Sequence, residues 1–247
     1  MTAGGFVKRV ASERAGAWEA AGLSWLRVPG GAPVVGVESV SPDQLVLQRL
    51  SPISPSVAQV ESFGRQLAAT HATGASGFGV GPDGWTRDGL QGPADDLIPL
   101  PLGPYDSWGA MYADLRVEPL ARQAGLLGAA EGLLGRLRGG EFDETVAAPA
   151  RLHGDLWAGN VVWTAAGGVL IDPAAHGGHP ESDLGALTLF GAPHLERLLA
   201  SYIEVAGVAD GWRERLPLMQ LHLVLLHAVL FGGGYVGQAA SILRRYA

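Results

Sequence analysis

His153, Asp155, Leu156 and Asn160 follow one another as His-x-Asp-Leu-x-x-x-Asn, and Asp172 stands 172 − 155 = 17 residues beyond the first aspartate. These residue types suit magnesium-assisted phosphoryl transfer. A carboxylate at Asp155 can orient an attacking hydroxyl or accept its proton, while a carboxamide at Asn160 and a second carboxylate at Asp172 offer two oxygens to a cation. Phosphate oxygens and water complete the usual magnesium shell. The interval between Asn160 and Asp172 has room for a short hairpin. Residues 160–164 read as a strand, Ala165 to Gly168 as a turn, and Val169 to Ile171 as a buried strand that returns Asp172 to Asn160. A hairpin with polar ends needs no chemistry, but the polar types here are those that magnesium-phosphate chemistry requires. His153 is expected to orient the loop by hydrogen bonding.

The order matches the catalytic loop of protein kinases, H-R-D-L-x-x-x-N, followed by a metal-binding aspartate. Such chemistry also needs a cation for the phosphates. Lysine occurs once in the chain, at Lys8, among 17 basic residues. A compact ammonium on a flexible stem reaches the α/β-phosphates in a way an arginine fork does not. Its neighbours Phe6 and Val7 suit a short strand. Ser12 to Leu26 has apolar residues at helical spacing and a serine that can cap the start. Glu19 lies mid-helix and is favoured as the partner of Lys8. Glu13 competes, although a first-turn glutamate also suits the helix dipole in solvent.

The elements needed to position these groups can be read along the chain. Residues 1–50 form a small mixed lobe: a strand over Gly5 to Val10, the helix, a Pro/Gly turn, and strands Val34–Val40 and Leu45–Leu50 joined by a turn at Ser41 to Asp43. Ser51 to Pro55 reads as a hinge. Residues 51–247 form a second, mostly helical lobe. It comprises a helix over Val57 to His71, a long ordered loop from Gly74 to Pro104 near the site, helices over Trp108 to Ala124 and Gly125 to Leu137, the catalytic segment, a loop over 173–181, and helices over 183–247 broken near Gly232 to Gly234. The fold class expected is therefore α+β, a protein-kinase-like two-lobe fold with a large helical C-terminal lobe.

Composition narrows the function. Hydrophobic residues make up 47% of the chain, enough for a substantial core, and the net charge of −7 disfavours nucleic acid as a partner. The absence of cysteine excludes disulfides, thiol catalysis and cysteine-bound metals. No signal peptide is legible. The stretch from Leu216 to Phe231 is interrupted by Pro217, Gln220, His222 and His227, so no membrane span is expected and the expected location is cytoplasmic. Gly77, Gly79 and Gly81 superficially resemble a phosphate loop, but no lysine follows them, and they read as a flexible loop. His222 and His227 read as core or substrate-cleft residues.

Taken together, the chain resembles the fructosamine kinase (ketosamine kinase) family, within the aminoglycoside- and choline-kinase-like phosphotransferase superfamily. The resemblance runs through Phe6 to Lys8, Glu19 to Leu23, Phe63 to His71, and Trp108 to Ala124 with Arg116 and Pro119. It is most specific at His153 to Asn160 and Asp172 to Gly185, and it continues through Leu226 to Tyr235. The resemblance implies ATP-dependent, Mg2+-dependent phosphorylation of a sugar hydroxyl on a ketoamine or other glycated amine, by a monomer or weak homodimer. Asp155 would act on the acceptor hydroxyl. Asn160 and Asp172 would bind magnesium, Lys8 held by Glu19 would contact phosphates, and Gln48, Arg49 and Leu50 would meet the adenine. Trp157 would stack on the sugar or pack the catalytic loop. His179, Glu181 and Asp183 would line the sugar site or brace that loop, with bracing favoured for Asp183 as a helix cap.

Family members place a strand pair with a nucleotide-covering loop ahead of the lysine strand, and that hairpin is absent from the sequence as given. Either the natural start lies upstream or the protein works uncovered, with wetter phosphates and weaker ATP binding. An aminoglycoside- or choline-type amine kinase and a catalytically silent binding module remain the alternative readings.

Overall fold

A computed structural model describes residues 4–247; residues 1–3 of the expected small lobe lie outside the described residues. The chain opens with β1 (Phe6–Arg9), and Ser12 then caps α1 (Glu13–Leu26) by accepting from the Ala15 amide. β2 (Val37–Val40) and β3 (Gln44–Leu47) complete an antiparallel sheet of order β1-β3-β2, with Lys8 opposite Leu45. Both expected strands are shorter than the sequence suggests. Val34 instead bridges in parallel to Leu170, through Val35 N donating to Leu170 O at 3.1 Å, and the β2–β3 register shifts between Val37 and Ser39. That bridge fastens the small lobe to the catalytic hairpin, where Leu23, Val35, Leu45, Leu47 and Val169 share one core.

Ser56 and Gln59 form a reciprocal capping box at the start of α2 (Val57–Ala72). The segment expected as a loop contains a hairpin, β4 (Gly89–Gln91) and β5 (Ile98–Leu100). Its strands are three residues each, too short to show a period-2 pattern. Next come α3 (Trp108–Met111), a π-helical stretch from Tyr112 to Val117, α4 (Glu118–Gln123) and α5 (Leu127–Arg138). The π turn lets one continuous helical segment absorb an extra residue while keeping Trp108, Tyr112 and Arg116 buried.

β6 (Ala150–Leu152) leads into the catalytic loop, and β7 (Val161–Thr164) and β8 (Gly167–Leu170) make the expected hairpin. A strand missed in the sequence, β9 (His176–Gly178), pairs with β6. The helices α6 (Glu181–Phe190), α7 (Leu195–Ala206), α8 (Trp212–Phe231) and α9 (Gly234–Arg245) finish the chain, with the expected break at Gly232 and Gly233. α8 is long and apolar enough to cross a membrane by composition, yet Leu218, Leu221, Val224 and Leu225 are packed within the main core alongside Phe63, Trp108, Leu133 and Leu199. The small sheet and the helical mass thus meet along the segment from Asp155 to Asp172.

Candidate active site

The catalytic loop leaves β6 through His153 and Gly154. The Asp155 amide donates to His153 Nδ1 at 3.2 Å, so the ring proton sits on Nε2 and is donated to Ile171 O at 2.8 Å. One imidazole therefore ties both ends of the hairpin together. Gly154 has φ +83°, and a Cβ there would stand 2.2 Å from Ala174 O, so only glycine fits. Beneath the loop lies the buried Asp183 carboxylate. It accepts from the His153 amide (2.8 Å), the Gly154 amide (2.9 Å) and His71 Nε2 (3.1 Å). Burial works to raise the Asp183 pKa, but the hydrogen bonds from His71 and the Gly154 amide, with the nearby His153, outweigh it and the net shift is downward. His71 Nδ1 in turn faces the Tyr202 hydroxyl at 2.7 Å.

Asn160 sits on a tight turn at the hairpin's entrance. Its Nδ2 donates to Asp155 O at 2.8 Å and to Asp155 Oδ2 at 3.0 Å. Both amide hydrogens are thereby used, and Oδ1 is the atom left to meet another group. Burial raises the Asp155 pKa, opposed by His153 and the Asn160 hydrogen bond.

Lys8 Nζ is 2.8 Å from Glu19 Oε2 and 2.8 Å from Asp172 Oδ1. Glu19, rather than Glu13, meets the lysine because it lies on the buried face of α1. The helix can approach so closely because Gly22 packs on Pro173 and Ala175, where a Cβ would be 3.0 and 3.3 Å from their side chains. Burial works against the Lys8 charge, but Glu19 and Asp172 more than offset it, and the pKa is raised. Burial pushes the Glu19 carboxyl up to about 7, with Lys8 opposing and Asp172 adding to the rise. The second oxygen of Glu19, Oε1, is buried with no partner, so the ionised form lacks the solvation it would have in water. Asp172 itself adopts a left-handed backbone, φ +54°, at the point where β8 ends.

Lys8, Glu19, Asp155, Asn160, Asp172 and Trp157 all border one cavity of about 440 Å3. Its roof includes Leu90, Gln91 and Leu97 of the β4–β5 hairpin, held to α1 by Trp18 Nε1 donating to Leu90 O at 2.9 Å. Its far wall is Phe190 of α6 with Leu223, His227 and Phe231 of α8. Of the two histidines read as core or substrate-cleft residues, His227 lines the cavity and His222 is buried against Gln91. Phe190, Leu223 and Phe231, and His71 below the loop, were not read as site residues from the sequence. The family resemblance at Phe63 to His71 and Leu226 to Tyr235 covers His71, His227 and Phe231, whereas Phe190 and Leu223 lie outside both segments.

Several expected site residues lie away from this cavity or act otherwise than expected. His179 does not reach this cavity: it is 1% exposed, its Nδ1 accepts from the Glu181 amide, and it lies against Trp108. Glu181 is likewise buried, and both its oxygens accept from Arg215. Asp183 braces the loop but is not a cap, because α6 begins two residues earlier, at Glu181. Gln48, Arg49 and Leu50 also lie off the cavity lining. The Gln48 amide donates to Gly36 O at 2.7 Å, and Arg49 donates to the Gly4 and Gly5 carbonyls. The Gly77 to Gly81 stretch, not expected to bind phosphate, runs against β9, where the Gly79 amide donates to Gly177 O at 2.7 Å. Trp157 is 41% exposed at the rim, its ring 6.2 Å from that of Phe190.

A magnesium ion is tested by the donors present. One carboxylate at Asp172 and one carboxamide oxygen at Asn160, both on the cavity wall, match the sparse oxygen set by which proteins hold this ion beside phosphates. No denser cluster of three His, Cys, Asp or Glu exists among the described residues.

Comparison with known proteins agrees with this arrangement. A family model described as fructosamine kinase matches residues 11–247. A probable ketoamine kinase of Synechocystis is 31% identical over 198 residues, covering 74% of this chain and 60% of that protein, so the chain spans less than two thirds of that relative. A probable ketoamine kinase of Thermus thermophilus is 33% identical over 224 residues, 89% of this chain and 78% of the relative. Among solved structures, a protein of Thermobifida fusca described as a fructosamine-3-kinase superposes with a TM-score of 0.81 at 40% identity, over 93% of this chain and 79% of its own. An aminoglycoside phosphotransferase in ternary complex with ADP and hygromycin B matches at TM-score 0.51 and 16% identity, over 98% of this chain and 85% of its own, which shows the shared kinase-like fold.

Proposed function

The chain belongs to the fructosamine kinase family, and from that premise we propose that it transfers the γ-phosphoryl group of ATP to a sugar hydroxyl of a ketoamine. The single observation that carries this reading is the convergence of Asp155, Asn160, Asp172 and Lys8 on one cavity from positions spread across both lobes. The small lobe, residues 1–50, takes the nucleotide, and residues 51–247 take the acceptor. Lys8 lies at the phosphate end and supplies positive charge, aligned by Glu19. Magnesium, held by Asp172 and the Asn160 amide oxygen, would neutralise charge on the phosphate oxygens.

Asp155 faces the acceptor. The acceptor hydroxyl oxygen forms a bond to the γ-phosphorus as the bond to the β-bridging oxygen breaks. The hydroxyl proton passes to Asp155, and ADP leaves with the bridging oxygen's electron pair. Because the transition state is loose, position and charge neutralisation dominate, and the base need only accept a proton late. The upward shift of Asp155 by burial suits that acceptance. Asn160 keeps the carboxylate aimed, since one of its amide hydrogens is bonded to Asp155 Oδ2.

The test is transfer from γ-labelled ATP to a synthetic fructosamine, beside the Asp155→Ala variant. Magnesium-dependent labelling lost in the variant supports the proposal. A panel of aminoglycosides and choline that is labelled in place of the fructosamine would replace the ketoamine with another amine acceptor.

A further inference from the structure

A row of rings leads away from the reacting centre. It starts at Trp157, two residues after Asp155, and continues to Phe190 at 6.2 Å, His227 at 5.1 Å and Phe231 at a further 5.4 Å between centroids. Phe190 is 37% exposed and Phe231 60%, so the row ends at the mouth of the cavity. Leu230 continues this wall, and Leu97 of the β4–β5 hairpin also lines the cavity. The His227 Nδ1 proton is used on Leu223 O at 2.7 Å, which fixes the ring among its neighbours.

The charged groups of the cavity are all elsewhere. Lys8, Arg9, Glu19, Asp155 and Asp172 line the phosphate end and the reacting centre. Among the described residues no lysine, arginine or carboxylate lines the aromatic arm. Large aromatic side chains left exposed in one contiguous strip mark a surface that gains by being covered. With the acceptor hydroxyl at Asp155 and the phosphates toward Lys8, this arm is an apolar way out for the part of the acceptor beyond the sugar.

We propose that this arm is the subsite for the amine substituent of the acceptor, and that it selects ketoamines whose amine carries an apolar alkyl or aryl stem. This rests on the ketoamine kinase reading. A substituent with a carboxylate next to the amine would lose its hydration against an arm that offers no lysine or arginine, and it is disfavoured there.

The experiment compares kcat/KM for four ketoamines of one sugar, made from methylamine, hexylamine, benzylamine and glycine. The hexyl and benzyl compounds should exceed the methyl compound by about tenfold, mainly through KM, and the glycine compound should fall below it. Phe231→Ala and Phe190→Ala should each shrink the hexyl-to-methyl ratio severalfold. Both side chains are partly exposed, and thermal unfolding of each variant checks that the fold persists. A flat panel, a preference for the glycine compound, or a ratio unchanged in both variants overturns the subsite while leaving the kinase reading intact. Failure to phosphorylate any of the four overturns the kinase reading, and the subsite with it.

Discussion

Lys8 Nζ lies 2.8 Å from Asp172 Oδ1, although 164 positions separate the two residues in the chain. The same ammonium holds Glu19 at 2.8 Å. The groups proposed to meet phosphate and magnesium thus stand next to each other. The pairing satisfies a half-buried cation and holds it beside the carboxylate proposed to bind magnesium. Lys8→Met is expected to lower kcat/KM for ATP by about a hundredfold or more, the scale of losing one charged clamp on a transferring phosphoryl group. Lys8→Arg should restore little, because the fork cannot place its charge where the compact ammonium sits. Steady-state kinetics with ATP varied provides the check, and full activity in Lys8→Arg would refute the assigned role.

The raised Glu19 carboxyl makes stability depend on pH. A carboxyl whose pKa in the fold lies above its ordinary value of 4.5, here at about 7, binds its proton more tightly in the folded state. Its contribution is fully present below about pH 4.5 and is lost as pH rises through 7. Glu19→Gln is expected to flatten that part of the stability profile. Chemical denaturation at several pH values between 5 and 8 measures it, and an unchanged slope in the variant would contradict the assignment.

Gly154 and Gly84 form a matched pair. Both have positive φ, +83° and +79°, but a Cβ on Gly84 meets nothing within 4 Å whereas one on Gly154 meets Ala174 O at 2.2 Å. Gly84→Ala should cost about 1–2 kcal/mol from backbone conformation alone. Gly154→Ala should cost clearly more and should also abolish activity, since it moves the residue next to Asp155. Equal destabilisation in urea titrations would show that the catalytic loop relaxes more freely than its packing indicates.

Asp183 accepts three hydrogen bonds under the loop, from His71, His153 and Gly154. Asp183→Ala strands three buried donors and is expected to cost about 3 kcal/mol or more. It should lower kcat more than it raises either KM, because it loosens Asp155 without touching a substrate. Because the Asp183 pKa is depressed in the fold, its stabilisation is present above its ordinary value of 3.8 and disappears only as pH falls below it. Acid denaturation of Asp183→Asn should therefore show a weaker drop in stability below that pH than the parent chain.

Much of the catalytic hairpin was legible because its signals are local. The spacing from His153 to Asn160 and the strand-turn-strand pattern before Asp172 specify a loop and a hairpin within about two dozen residues. Glu19 could be favoured over Glu13 for a similarly local reason, since it lies mid-helix and Glu13 in the first turn, and the structure puts Glu19 on the buried face. His179 and Glu181 were misplaced because a motif tells which residues are needed without telling which way they face. Each found a partner elsewhere, Thr145 for one and Arg215 for the other. β9 escaped notice because a strand of His-Gly-Gly has no apolar alternation and exists only through pairing with β6.

By itself the sequence determined the main helices, the catalytic hairpin and the chemistry-bearing residues, because these depend on neighbours within a helix, a turn or a hairpin. Tertiary structure alone decided that Lys8 reaches Asp172, that Asp183 sits beneath Gly154 with His71 at its side, and that the β4–β5 hairpin and α8 enclose the same cavity. The physical reason is that these relationships arise from the packing of apolar faces far apart in the chain. Burial is collective, so the direction each polar side chain takes follows from where the whole core leaves room and a hydrogen-bond partner for it.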